Sequence, residues 1–533
     1  MRAGRSSVRG LWLALLCCAA CGKSEPKQAP AAPPERKAEV AVPLDGGAAK
    51  AFVDEGPPKR LFAKRFVVKV RVAPNKDSFR WGYLRGGAVV QAKTGLPIAF
   101  DRCRKGWYEL EGGGFVCSTV DVIPFLGKRL PERRTLQPDL SAVLPYPYGY
   151  SRRKNTPMYR RLPTDEEAHV HEGFPLPASA DAGVAAFAAA VNAGAAVEPA
   201  PSAEPVQAPA APPSMIAALA DPIDEAGAPG SGEGDETVAT LASLMGEEGG
   251  VLMRRMERGF YVSLDREMQR GTRKYFRTQS NGFIPEKAIN PVKPSEFKGV
   301  ELSDALQLPI AWVMSKKHLA YLPNKAGKLR ADKAPGYHHM FRVTGEAQQG
   351  TTTFLVGEDG RHYRAGDVTK LVARDKPADV ADSEKWLDID LAAQTLVAYV
   401  GSKPVFATLV STGRIKDELD PLKNFETPTG EFRITSKHLS ATMDGDHAID
   451  GPYSIEDVPY VMYFQLAYAL HSAFWHNGFG RPRSHGCINL SPADARWVFN
   501  FVEPALPVPW HGVFPKPEEK STRLYIRGKT PEG

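Results

Sequence analysis

Hydrophobic and polar positions alternate in short runs along much of this chain, and glycine, asparagine and aspartate separate the runs. Phe66-Val67-Val68-Lys69-Val70-Arg71-Val72 is rich in β-branched residues and partly alternating, and further runs follow at 88–91, 107–110 and 114–120. Short strands at this spacing predict a small β-barrel over 64–128. Runs at 259–264, 310–314 and 352–356, with Glu358-Asp359-Gly360 as a hairpin turn, predict a second β-rich module over 249–375. A last domain over 384–530 opens with strands at 387–390, 395–400 and 404–411, which Gly401-Ser402 and Thr412-Gly413 punctuate. The turn Glu426-Thr427-Pro428-Thr429-Gly430-Glu431-Phe432 leads into another strand, and 524–526 makes a closing one. One helix interrupts this texture. Ser491 is placed to cap it and Pro492 suits its first position. The fold class is therefore mostly β and multidomain, with small barrels ahead of a β-rich C-terminal domain that carries a helix.

Other stretches lack periodicity. Residues 22–63 are mainly Ala, Pro, Lys and Glu, a tether. Residues 129–171 read as an extended connector, in which LPYPYGYSRRKNTPMYRRLP (144–163) is aromatic, basic and has four prolines. It is either a strap over a neighbouring domain or a linker. Residues 172–248 are Ala/Pro-rich with twelve acidic residues, and no Lys or Arg falls between Arg161 and Arg254. So little apolar surface cannot offset chain entropy, and disorder is expected there. The net charge is +7, so the rest of the chain is more basic than that figure. This suits an anionic cell wall or lipid surface, or simply a solvated basic face. No dinucleotide, heptad or transmembrane signature appears, and no nucleic-acid partner is expected.

Arg2, Arg5 and Arg9 precede an apolar run, 11–20, too short to span a bilayer. It ends Cys18-Ala19-Ala20-Cys21-Gly22, which resembles a bacterial lipoprotein signal over 1–21, with Cys18 where Leu is usual. The resemblance implies lipidation at Cys21 and a protein anchored at the periplasmic face of the envelope. An ordinary secretory signal is the alternative. Either implies export. In an oxidising compartment Cys103 and Cys117 are the natural disulfide pair, leaving Cys487 as an odd thiol. The phrases VRVAPNKDS, GYLRGGAVV and KGWYELEGGGFVC are similar to bacterial SH3-like modules, which accompany wall-active enzymes.

Chemistry concentrates in HSAFWHNGFGRPRSHGCINL (471–490), which holds three of the twelve histidines. Gly486 and Ile488 flank Cys487, and His471 and His485 are the nearest groups able to activate a thiol. The order strand, TPTGEF turn, LHSAFWHNGFG, SHGCINLSPADA resembles the YkuD-type L,D-transpeptidases. Their signature is filled here by His471, Ser484, His485, Gly486, Cys487 and Asn489, with Ser472 where Gly usually follows the first His. The resemblance implies Cys487 as nucleophile and His471 as base. The Ser472 carbonyl would hold the other ring nitrogen, and backbone N–H groups of His485, Gly486 and Cys487 would form an oxyanion hole. Ser484, Asn489, Trp475 and His476 are then expected to meet substrate. Peptidoglycan stem peptides are the implied partners, carbapenem-type inhibitors are expected to react, and no cofactor or metal is required.

Other readings stay open. His471, His476, His485 and Cys487 are suitable zinc ligand types, although no Cys-x-x-Cys or His-x-x-x-His half is present. Water in place of an amine would make an L,D-carboxypeptidase. A cysteine protease or amidase usually places its Cys before its His, the reverse of the order here. A non-catalytic wall-binding lipoprotein is the alternative from another class. The motif lies wholly within the last domain, so a fragment from about residue 381 onward is expected to carry the chemistry alone.

Overall fold

The computed structural model describes residues 59–125, 135–173, 239–316, 319–333, 335–417, 424–447 and 451–531. The expected signal segment, its Cys21, nearly all of the tether and most of the acidic linker lie outside them. Strands dominate, and two α-helices occur among the described residues.

Seven short strands between Arg60 and Pro124 form two sheets. One joins Val89–Gln91, Arg60–Ala63 and Val122–Pro124; the other runs Arg80–Arg85, Val67–Arg71, Phe115–Cys117, Trp107–Glu109. Alternation is the cause: Val68 and Val70 are buried while Lys69 between them is exposed. A disulfide joins Cys103 to Cys117, with Cα atoms 5.8 Å apart, against Trp107. This core is not self-contained. Trp510, from the far end of the chain, is buried in it. Gly82 admits that visitor, because a Cβ there would stand 2.4 Å from the Gly512 carbonyl and 2.6 Å from the Trp510 ring.

The stretch expected to be an extended connector holds strands Tyr148–Ser151 and Thr156–Tyr159. A helix follows at Asp165–Glu172, where Thr164 and Glu167 form a capping box. The strands pair with Tyr261–Arg270, Ile289–Pro291 and Leu252–Met256. The expected second module is also two pieces: 252–291 folds with the connector, and 310–371 forms a seven-stranded sheet. Both departures have one reason. Alternation marks a strand but not its partner, and here the partners are distant in sequence.

Five strands of the C-terminal domain, with Val300–Glu301 added at one edge, lie in the order Val300–Glu301, Lys403–Leu409, Thr395–Val400, Lys385–Asp390, Arg523–Arg527, Gly430–Arg433. A second layer is a long hairpin, Ser436–His447 with Gly451–Gln465, which continues into Tyr468–Ser472 and Ile488–Leu490. Leu387, Ile389 and Phe406 of the first layer meet Met462, Leu470 and Ile488 of the second. Each such side chain contributes roughly 1.5–3 kcal/mol by burial. The helix Pro492–Phe501 adds Ala495, Val498 and Phe499 to this core. Its N-terminus is fixed by Ser491 Oγ, which accepts from the Asp494 N–H at 3.2 Å, and by Pro492 in the first turn.

Candidate active site

Cys487 stands where a turn enters the strand Ile488–Leu490. That strand pairs in parallel with Tyr468–Ser472, setting Leu470 opposite Ile488, His471 opposite Asn489 and Ser472 opposite Leu490. Side chains alternate along a strand, so Leu470, Ile488 and Leu490 enter the core while His471, Cys487 and Asn489 share the other face. A slip of one residue would separate imidazole from thiol. Register therefore sets both side chains on one face of the sheet. Both side chains are fully buried.

His471 Nδ1 lies 3.2 Å from the Ser472 carbonyl. A carbonyl only accepts, so Nδ1 carries the proton and, in the neutral ring, Nε2 is the bare nitrogen. Among the described residues Nε2 is buried without a hydrogen-bond partner. Burial brings the pKa of this ring down to about 4, against the raising effect of the Ser472 carbonyl. The ring is thus neutral at pH 7 and able to take a proton. Trp475 lies beside it, centroids 5.8 Å apart. The Cys487 thiol points to the Ala467 carbonyl at 3.8 Å. Tyr463 and Tyr468 are near enough that a thiolate, added to their burial, would raise their hydroxyl pKa values.

The turn before Cys487 is fastened by two hydroxyls. Ser484 Oγ donates to the Cys487 carbonyl at 2.5 Å and accepts from the Gly486 N–H at 3.0 Å. Of the three N–H groups expected to form an oxyanion hole, that of Gly486 is thus directed at Ser484. Gly486 has φ 125°, a left-handed value that favours glycine. Thr427 Oγ1 donates to the Gly486 carbonyl at 2.8 Å and accepts from the Gly413 N–H at 2.9 Å. His485 Nε2 lies 3.1 Å from an Arg414 guanidinium nitrogen, and Phe425 meets its ring edge-on. His476 accepts from the Gly478 N–H at 3.2 Å and faces the Asn489 carboxamide at 3.1 Å. Among the described residues, no group of three or more His, Cys, Asp or Glu side chains is placed to hold a metal ion.

Sequence reasoning missed Thr427 as part of the site, although its TPTGEF turn was visible. It also missed most of the cover. The Tyr148 ring lies 4.4 Å from that of Phe474, and Tyr261 lies 5.5 Å from Phe474 and 6.1 Å from Trp475. With Tyr146, Val458 and Val461 they belong to the same buried cluster as Cys487. Of the two readings of 144–163, strap and linker, the structure shows the strap.

This cover is also clamped by charge. Tyr148 Oη donates to the Asp457 carbonyl at 2.6 Å. The Asp457 carboxylate receives Arg85 of the first module through both oxygens, one contact at 2.9 Å, besides Ser263 at 2.6 Å and Ser440 at 2.8 Å. Burial alone would raise the pKa of this carboxyl; the Arg85 charge and these hydrogen bonds bring it down to about 2. The neighbouring Glu456 meets Arg254 at 3.2 Å and Ser280 at 2.9 Å. The long hairpin is thus held by two arginines from earlier modules.

Residues 384–509 match the family described as YkuD, the L,D-transpeptidase catalytic domain. The chain carries a YkuD domain. Solved structures with local similarity include an L,D-transpeptidase of Stackebrandtia nassauensis, at 21% identity over 29% of this chain and 60% of that one. The catalytic domain of an E. faecium L,D-transpeptidase is 25% identical over 27% of this chain and 98% of its own. An L,D-transpeptidase from Mycobacterium smegmatis is 15% identical over 50% and 99% respectively. Each has a TM-score of 0.21, too low to carry an argument, so the assignment rests on the family match. No curated protein matches the chain.

Proposed function

We propose that the YkuD domain of this chain cross-links peptidoglycan stems as an L,D-transpeptidase. The observation that carries the reading is the parallel strand register that sets His471 and, at the turn before the partner strand, Cys487 on one face of the sheet, with His471 Nε2 unprotonated. In this reading Nε2 accepts the thiol proton and the thiolate attacks the carbonyl of the third residue of a tetrapeptide stem. The tetrahedral intermediate collapses, the bond to D-alanine breaks, and the imidazolium returns its proton to the departing amine. The thioester is then attacked by an amine of a second stem. His471 removes that amine's proton and returns it to the sulfur as the new amide forms. Backbone N–H groups of the turn around Cys487 would steady the oxyanion, at about 3 kcal/mol per donor in comparable sites. Lipidation at Cys21 would hold the enzyme at the envelope while its linkers let it reach the wall.

The test supplies purified tetrapeptide muropeptides and follows products by mass spectrometry. Cross-linked dimers and free D-alanine are expected, with both lost in Cys487→Ala. Tripeptides alone would move the function to an L,D-carboxypeptidase. No product and no carbapenem adduct at Cys487, from folded protein, would leave a wall-binding scaffold.

A further inference from the structure

A cavity of about 170 Å³ lies where the helix Pro492–Phe501, the hairpin strand Ser436–His447, the segment 505–510 and Leu140 of the strap region meet. Leu439, Phe499, Leu506 and Trp510 make its apolar wall, and Lys437 and Arg496 bring positive charge. Among the described residues that line it there is no carboxylate. A comparable cavity of about 150 Å³ with apolar walls holds one benzene ring. The volume thus fits a ligand of that size.

The cations play different parts. Arg496 donates to the backbone carbonyls of Leu140 at 2.6 Å and Ser141 at 2.9 Å, so it fastens the strap region at the rim. Lys437 is only 1% exposed. Its Nζ donates to the Val502 carbonyl at 2.7 Å and lies 4.5 Å from the centre of the Phe499 ring. An ammonium has three N–H donors, and the Val502 carbonyl satisfies one. Glu503, the nearest acidic influence, is engaged by Lys385 at 2.7 Å. Burial, opposed by Glu503 and assisted by Lys385, brings the pKa of Lys437 down to about 7. A buried cation without a carboxylate partner is costly unless something neutralises it.

We propose that this cavity binds a small apolar carboxylate, its hydrocarbon part against Leu439, Phe499 and Trp510 and its carboxylate paired with Lys437. The ring face of Phe499 and the apolar wall select the body of the ligand; the ammonium selects its charge. The site is separate from the thiol chemistry and stands or falls without it.

Benzoate is the probe, with benzamide as its uncharged look-alike, titrated calorimetrically into the full chain. Benzoate should bind one to one and at least about tenfold more tightly than benzamide. Lys437→Met should remove that preference while keeping or raising Tm, because it removes a buried charge. Ala505→Trp, at an exposed rim position, should block benzoate while Lys437 remains. Absence of saturable benzoate binding, equal affinity for benzamide, or unchanged benzoate affinity in Lys437→Met would overturn the proposal. If Lys437→Met does not fold, Ala505→Trp decides alone: lost binding supports the site, and unchanged binding removes it.

Discussion

The floor and the cover of this site are assembled in opposite ways. His471, Ser484 and Cys487 come from one short stretch, and a single parallel pairing with a tight turn is enough to present them. The cover brings Tyr148 and Tyr261 onto Phe474 and Trp475, and clamps the hairpin with Arg85 and Arg254, from modules hundreds of residues earlier. The floor is set by local register, the cover by aromatic packing and buried ion pairs. Since the His471 and Cys487 side chains are both fully buried, a molecule from solvent reaches them only when the structure around them shifts. Reactivity therefore belongs to one region and access to another, and the two can be changed separately.

The largest effect should come from the floor. His471→Ala is expected to slow acylation of Cys487 by a carbapenem about 10²–10⁴-fold, with partial rescue at high pH where the thiolate forms unaided. The unaltered protein should keep acylating well below pH 6.5, its acid limb centred near 4, because burial holds His471 neutral down to there. Adduct mass followed against pH measures both. A limb centred at 6.5 would contradict the buried, neutral imidazole.

Next comes the clamp. Arg85→Met should destabilise the fold by about 3–5 kcal/mol in urea denaturation at neutral pH, because it strands the buried Asp457 carboxylate. The sign of the pH dependence follows from Asp457, whose folded pKa of about 2 lies below its ordinary 3.8. Its contribution is present above pH 4 and is lost as pH falls towards 2. Arg85→Met removes the main cause of that depression, so its deficit should shrink in acid, where Asp457 protonates in both proteins. A deficit that stays constant with pH would mean that Arg85 acts through packing.

A third change opens the cover while leaving both arginine ion pairs in place. Tyr148→Ala removes the ring on Phe474 and the bond to the Asp457 carbonyl. Alkylation of Cys487 by iodoacetamide, far below the denaturation midpoint, should accelerate at least about tenfold, since each 1.4 kcal/mol of lost local stability is worth tenfold in opening. An unchanged rate would place the gate elsewhere in the hairpin.

The same contrast explains what could be read from the sequence. Period-two alternation exposed strands of the first module and of the C-terminal domain, and Ser491-Pro492 announced the helix start. The His and Cys of the site were legible because the register that unites them runs through one continuous segment. Trp510 in the first module's core was not legible, nor was Arg85 on Asp457, because neither pattern nor charge names a partner so far along the chain. That also changes the expectation for a fragment starting near residue 381. It keeps His471 and Cys487 but loses Arg85, Arg254, Tyr148 and Tyr261, so its hairpin would be unclamped.

The smallest effect separates shaping the floor from doing its chemistry. Thr427 acts at one remove from His471 and Cys487, through a hydroxyl that ties Gly413 to Gly486. Thr427→Val keeps the shape and removes the hydroxyl, leaving a buried N–H and a buried carbonyl that each lose this partner, at about 1–3 kcal/mol. Part of that loss should appear as a lower Tm and part as a turn that strays from its reactive geometry. Carbapenem acylation should therefore slow about tenfold, while the acid limb of its pH profile stays near 4, because the burial of His471 is unaltered. A slower rate with a shifted limb would mean that the substitution disturbs His471 itself. A normal rate with a lowered Tm would make Thr427 a matter of stability alone, and the turn would then owe its shape to Ser484.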